Sequence, residues 1–80
     1  MQAIITSTSA IIEMKDPEGR PYRCRVWEGE TENGVEFTAY IGMVQVARQV
    51  DNSEFLRCLA ESPAPNSNTI RAMDLRFFID

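Results

Sequence analysis

From Ala10 to Glu28, apolar and polar side chains alternate on both sides of the tetrapeptide Asp16-Pro17-Glu18-Gly19. Pro17 presets φ for the second turn position, Asp16 can bond the backbone ahead of it, and Gly19 tolerates positive φ. Alternation with a period of two is the pattern of a half-buried strand. Two such strands joined by this turn make a β-hairpin. In the first, Ala10, Ile12 and Met14 alternate with Ile11, Glu13 and Lys15. In the second, Tyr22, Cys24 and Val26 oppose Arg23, Arg25 and Trp27. The first strand can start as early as Ile4, although Thr6 to Ser9 carries little pattern.

The segment Gly29 to Gly34 reads as a second loop, with Asn33-Gly34 its sharpest turn signal. A third strand is expected from Val35 to about Arg48. Its apolar set moves from odd positions (Val35, Phe37, Ala39, Ile41) to even ones (Val44, Val46), so a bulge or bend is expected at Gly42-Met43. Asp51 followed by Glu54 resembles a capping box. Phe55, Cys58 and Leu59 then form a helical stripe that Pro63 ends. The loop 64–68 leads to Ala72–Ile79, which alternates again and reads as a strand inside a sheet. The expectation is one α+β domain over residues 1–80 of order β-β-β-α-β. It would be a four-stranded, largely antiparallel sheet with one helix packed on one face.

Folding the first hairpin about Pro17–Gly19 sets Glu13 opposite Arg23 and Ile11 opposite Arg25. Folding the second about the middle of Gly29–Gly34 sets Val26 opposite Phe37, Cys24 opposite Ala39 and Tyr22 opposite Ile41. On the other face it pairs Trp27 with Glu36, Arg25 with Thr38 and Arg23 with Tyr40. In this register the face with Cys24 and Val26 is the core side, covered by the helix. Arg23, Arg25, Trp27 and Tyr40 share the outer face.

Several function classes are excluded or disfavoured. The 80 residues contain no histidine, so Ser–His and Cys–His catalysis is impossible. The two cysteines, Cys24 and Cys58, fall on core-facing positions and cannot make a four-ligand zinc site. No catalytic residue, cofactor or metal site is assigned. Glu28, Glu30, Glu32 and Glu36 gather around the second loop, where a solvated acidic loop is expected and weak cation binding is the alternative. The N-terminus lacks a signal-peptide pattern and no run of about 18 apolar residues occurs, so a cytoplasmic protein with reduced cysteines is expected. With 12 acidic and 8 basic residues the net charge is −4, which disfavours nucleic acid as a partner.

Arg23, Arg25, Trp27 and Tyr40 on one sheet face, with Phe78 from the last strand, form the candidate interaction surface. Arginine and aromatic residues are enriched at protein interfaces. A chain this short buries only roughly 60–65% of its unfolded surface, so a homodimer is expected. A non-enzymatic protein-binding or self-assembling module follows. Single-stranded nucleic-acid binding by the same face is the alternative, and a small enzyme using Glu and Arg is a remote third.

The block Arg25-Val26-Trp27-Glu28-Gly29-Glu30-Thr31-Glu32-Asn33-Gly34, the strand to Val46 and the acidic helix start with Phe55 and Leu59 resemble small uncharacterised bacterial proteins of mobile elements, of the integron gene-cassette type. The resemblance covers the middle half of the chain. It implies a bacterial accessory protein and carries over no functional residue.

Overall fold

A computed structural model of the chain describes residues 1–49 and 51–75, the side chains of residues 72, 74 and 75 excepted. Three strands, β1 (Ala3–Lys15), β2 (Pro21–Thr31) and β3 (Glu36–Ile41), precede two helices, α1 (Ser53–Ala60) and α2 (Ser67–Leu75). The strands form one antiparallel sheet in the order β1-β2-β3. The α+β class holds.

Both hairpins close through the same three-residue device. At the first, the Gly19 N–H donates to the Asp16 carbonyl at 2.9 Å and the Asp16 N–H to the Arg20 carbonyl at 3.0 Å. At the second, the Gly34 N–H donates to the Thr31 carbonyl and the Thr31 N–H to the Val35 carbonyl, both at 2.9 Å. Gly19 and Gly34 carry φ of 81° and 82°, the left-handed conformation this loop demands of its last residue. In each case the first side chain closes the turn again. Asp16 Oδ1 accepts the Arg20 N–H at 2.8 Å, and Thr31 Oγ1 accepts the Val35 N–H at 3.0 Å.

The first hairpin has the expected register, with Ile11 opposite Arg25 and Glu13 opposite Arg23. The second does not. Gly29 to Thr31 belong to β2, so the turn centres on Asn33. Arg25 therefore faces Ile41, Val26 faces Tyr40, Trp27 faces Ala39 and Gly29 faces Phe37. The slip is three residues. Being odd, it exchanges the faces of β3 relative to β2. The apolar set Phe37, Ala39 and Ile41 consequently shares a face with Arg25 and Trp27. The chain bends at Gly42 as expected, but β3 stops at Ile41 and does not continue to Arg48, so the bend marks the strand's end and not a bulge within it.

The observed bulge lies in β1. Between Ser7↔Trp27 and Ile11↔Arg25 the strand spends three residues against one, Val26. Thr8 sits there fully buried, its hydroxyl donating to the Val26 carbonyl at 2.7 Å. The strand's outer edge is hooked at the same place: the Ser9 N–H donates to the Pro63 carbonyl at 2.8 Å, and the Ser7 and Ser62 hydroxyls lie 2.6 Å apart.

Helix α1 starts two residues later than the expected cap. Asn52 is its N-cap without a side-chain bond, while Asp51 Oδ1 accepts the Ser53 N–H at 2.9 Å. Glu54 pairs with Arg57 in place of a capping box, and Arg57 reaches Glu61 at 2.8 Å on the outer face. Phe55 and Leu59, one turn apart, are half-buried, whereas Leu56 and Cys58 are exposed. The expectation that Cys58 faces the core is thus corrected.

Residues Ala72 to Leu75, expected in a fourth strand, belong to α2; residues 76–79 of that expected strand lie outside the described residues. Asn66 decides the outcome locally. Its Oδ1 accepts the Thr69 N–H at 2.9 Å, which is an N-cap. Buried Thr69 and half-buried Met73 then recur at helical spacing, overriding the period of two at Met73 and Leu75.

The helices take opposite faces of the sheet. Phe55 and Leu59 of α1 meet the face of Ile11, Arg25, Trp27 and Ile41. α2 is bonded to Glu28, on the face of Cys24 and Val26. Cys24 and Val26 are buried as expected, at 2% and 0% exposure. However, α1 does not cover them, and Arg25 and Trp27 are not on an open face.

Among the described residues these two are the only buried apolar side chains. The accessible surface is 6649 Å², against about 4,900 Å² for a compact monomer of this mass. Residue 50 and residues 76–80 supply at most about 1,150 Å² even at the unfolded-chain value. The described residues alone therefore expose more than a compact chain of full length.

Candidate interaction surface

The space between α1 and the sheet is an open groove of about 300 Å³. Trp27 and Ile41 floor it, Phe55 and Leu59 form one wall, and the segment after β3 forms the other. Four side chains at its margin are substantially exposed: Ile11 (54%), Met43 (84%), Val44 (48%) and Leu56 (54%). Among the described residues, the only charged ones lining it are Arg23 and Arg25.

Arg25 is held by β1 and α1 together. Its Nη1 donates to the Thr8 carbonyl at 2.8 Å and to the Leu59 carbonyl at 3.4 Å. The β1 bulge supplies the first of these acceptors, and the open C-terminal turn of α1 supplies the second. Half-buried Arg25 has no carboxylate within 4 Å among the described residues, so two neutral carbonyls take part of its hydrogen-bonding capacity and its charge stays uncompensated. Beside it, the Trp27 indole N–H is buried without an acceptor among the described residues. A buried donor left unpaired is unfavourable by about 1–3 kcal/mol.

Of the expected surface residues, Arg23, Arg25 and Trp27 converge in this groove. Tyr40 does not join them, because its pairing with Val26 puts it on the other face. Phe78 lies outside the described residues. Sequence reasoning missed Met43 and Val44, which it placed in a continuing strand. It missed Thr8 because the run Thr6-Ser7-Thr8-Ser9 shows no alternation; a run of hydroxyl residues inside a strand pattern is the one available signal for the bulge.

The acidic residues around the second turn divide into two groups. Glu28 is half-buried in β2, and its Oε2 accepts the Asn66 N–H at 2.9 Å and the Thr69 hydroxyl at 2.5 Å. Glu30, Glu32 and Glu36 are exposed. No group of three metal-ligating side chains occurs among the described residues. Of the two thiols, Cys24 is buried and Cys58 exposed, and both are free. No described helix is long and apolar enough to cross a membrane.

Comparison with protein-family models, with curated proteins and with solved structures gave no match to this chain.

Proposed function

We propose that this chain is a non-enzymatic module that acts by self-association, with the groove under α1 as part of the covered surface. One observation carries the reading: with residue 50 and residues 76–80 set aside at the unfolded-chain value, the exposed area is still about 600 Å² above that of a compact monomer of full length. Each partner in an interface of standard size contributes about 800 Å². The excess is therefore of the same order as one partner's share of such an interface. That only two apolar side chains are buried among the described residues points the same way, since domains of this size commonly need a partner, a metal or disulfides for stability. Cytoplasmic residence belongs to the same reading, supported by a free and exposed Cys58 that suits a reducing compartment.

Base stacking is less well supported. A stacking platform needs open aromatic faces. Trp27 lies beneath α1 and Tyr40 is on the opposite side of the sheet.

Light scattering across a concentration series tests the proposal. A mass of two chains at high micromolar concentration is expected. A mass of one chain there would sink it.

A further inference from the structure

The groove and the tip of the second hairpin are complementary in charge and in shape. The groove is apolar, and among the described residues its only charged lining residues are Arg23 and Arg25, although acidic residues outnumber basic ones 12 to 8 in the chain. The tip is the reverse. Glu30, Glu32 and Glu36 surround it, all exposed and without a cation within 4 Å among the described residues. At its base, opposite Thr31, Val35 is 60% exposed, an apolar knob inside an acidic collar. Three hydrogen bonds among Thr31, Gly34 and Val35 hold this tip in one shape, so docking it sacrifices little conformational freedom.

We propose that the groove of one copy receives the hairpin tip of a second copy, with Val35 entering beside Trp27 and Glu32 and Glu36 meeting Arg23 and Arg25. This rests on the self-association proposed above and names its surfaces. Arg23 and Thr31 are eight residues apart on β2, about 27 Å at strand rise. The Arg23 end of the groove and the tip thus lie toward opposite ends of β2, with Trp27 midway between them. Two copies placed antiparallel about a two-fold axis make the contact twice, and the assembly closes as a dimer. The carboxylate that half-buried Arg25 lacks among the described residues is supplied by the second copy.

Charge exchange tests this. Arg23→Glu and Glu32→Arg are made singly and together, and the dissociation constant is read by sedimentation at low salt. Each single variant is expected to weaken the dimer about tenfold, because like charges then meet. The double variant is expected to recover most of that loss. Circular dichroism melting confirms that each variant folds, and Arg23→Ala with a salt titration replaces Arg23→Glu if it does not. If the unaltered chain has the mass of two and all three variants match it, the groove is not the interface, although self-association stands. If the unaltered chain has the mass of one, the underlying reading fails instead. A mass that climbs without limit with concentration overturns the closed two-fold arrangement.

Discussion

Glu28 in the middle strand caps a helix whose N-cap lies 38 residues later: its Oε2 accepts both the backbone N–H of Asn66 and the hydroxyl of Thr69. In an ordinary capping box the third helical residue is a Glu or Gln that bonds back to the N-cap N–H. Here that position is Thr69, and the carboxylate comes from β2. The negative charge also sits at the positive end of the helix dipole. One side chain therefore determines both where α2 begins and which face of the sheet it lies on.

Glu28→Ala is accordingly expected to destabilise the fold by about 1.5–3 kcal/mol, the range for hydrogen bonds to a charged group. Because Glu28 and Thr69 share one contact, Glu28→Ala and Thr69→Val should be non-additive by more than about 0.5 kcal/mol in urea unfolding. Additive losses would show that α2 is held by something else.

Gly29 lies directly under the ring of Phe37, its partner across β2 and β3, and a methyl group at Gly29 would overlap that ring. Gly29→Ala should lower stability by about 1–3 kcal/mol. Adding Phe37→Leu, which shrinks the obstructing group, should return part of the loss. Gly19 behaves differently. Open space surrounds it, and its φ of 81° is the obstacle. Gly19→Ala should cost about 1 kcal/mol, and no neighbouring substitution should relieve it. Thermal melts of the three variants separate the two causes.

Acid should loosen the first hairpin. The Asp16 carboxyl is held below its ordinary range chiefly by the Arg20 backbone N–H. Desolvation opposes this as the second-largest effect, and the Arg20 guanidinium and the Glu18 N–H lower it further. Asp51 is lowered too, first by the Ser53 backbone N–H. A carboxyl whose pKa is lower in the folded state stabilises the fold fully above its ordinary value, near pH 4. That contribution disappears as pH falls through the lowered value. Unfolding free energy should therefore decline from about pH 4 downward, and less steeply in Asp16→Asn. Identical slopes in the two proteins would refute the assignment.

Trp27 is the only tryptophan, so its emission reports on the groove alone. Arg25→Lys keeps the charge but loses the planar fork that reaches both Thr8 and Leu59. We expect α1 to lift and the emission to shift to the red, with fluorescence quenching by iodide increased. Unchanged quenching would mean that α1 is seated by Phe55 and Leu59 without help from Arg25.

A thiol-reactive chromophore should label one cysteine per chain quickly. The fast site is exposed Cys58, and Cys24 should react only at the rate of unfolding. Cys58→Ser should abolish the fast phase.

The first hairpin was legible pair by pair, because a Pro–Gly turn and two alternating strands are local signals that agree. The second was misplaced by three residues, since Gly29 reads as a loop residue until Phe37 is seen to occupy the space its missing side chain leaves. That slip moved Tyr40 to the wrong face of the candidate site, while Arg23, Arg25 and Trp27, all on β2, were kept together by its alternation. α2 was missed because Met73 and Leu75 alternate as a strand would, and Glu28, which fixes the helix start, is far away in the chain.

Local chemistry in the sequence determined the turns at Gly19 and Gly34, the strand character of β1 and β2 and the burial of Cys24 and Val26. Each depends on backbone preference or on side-chain parity within a few residues. Only the tertiary structure decided which helix covers which face, because Arg25 is tied to Leu59 and Glu28 to Asn66 and Thr69 across more than thirty residues. Closing such loops carries an entropy that no local pattern encodes, and it is offset only once the distant acceptors and donors are in place.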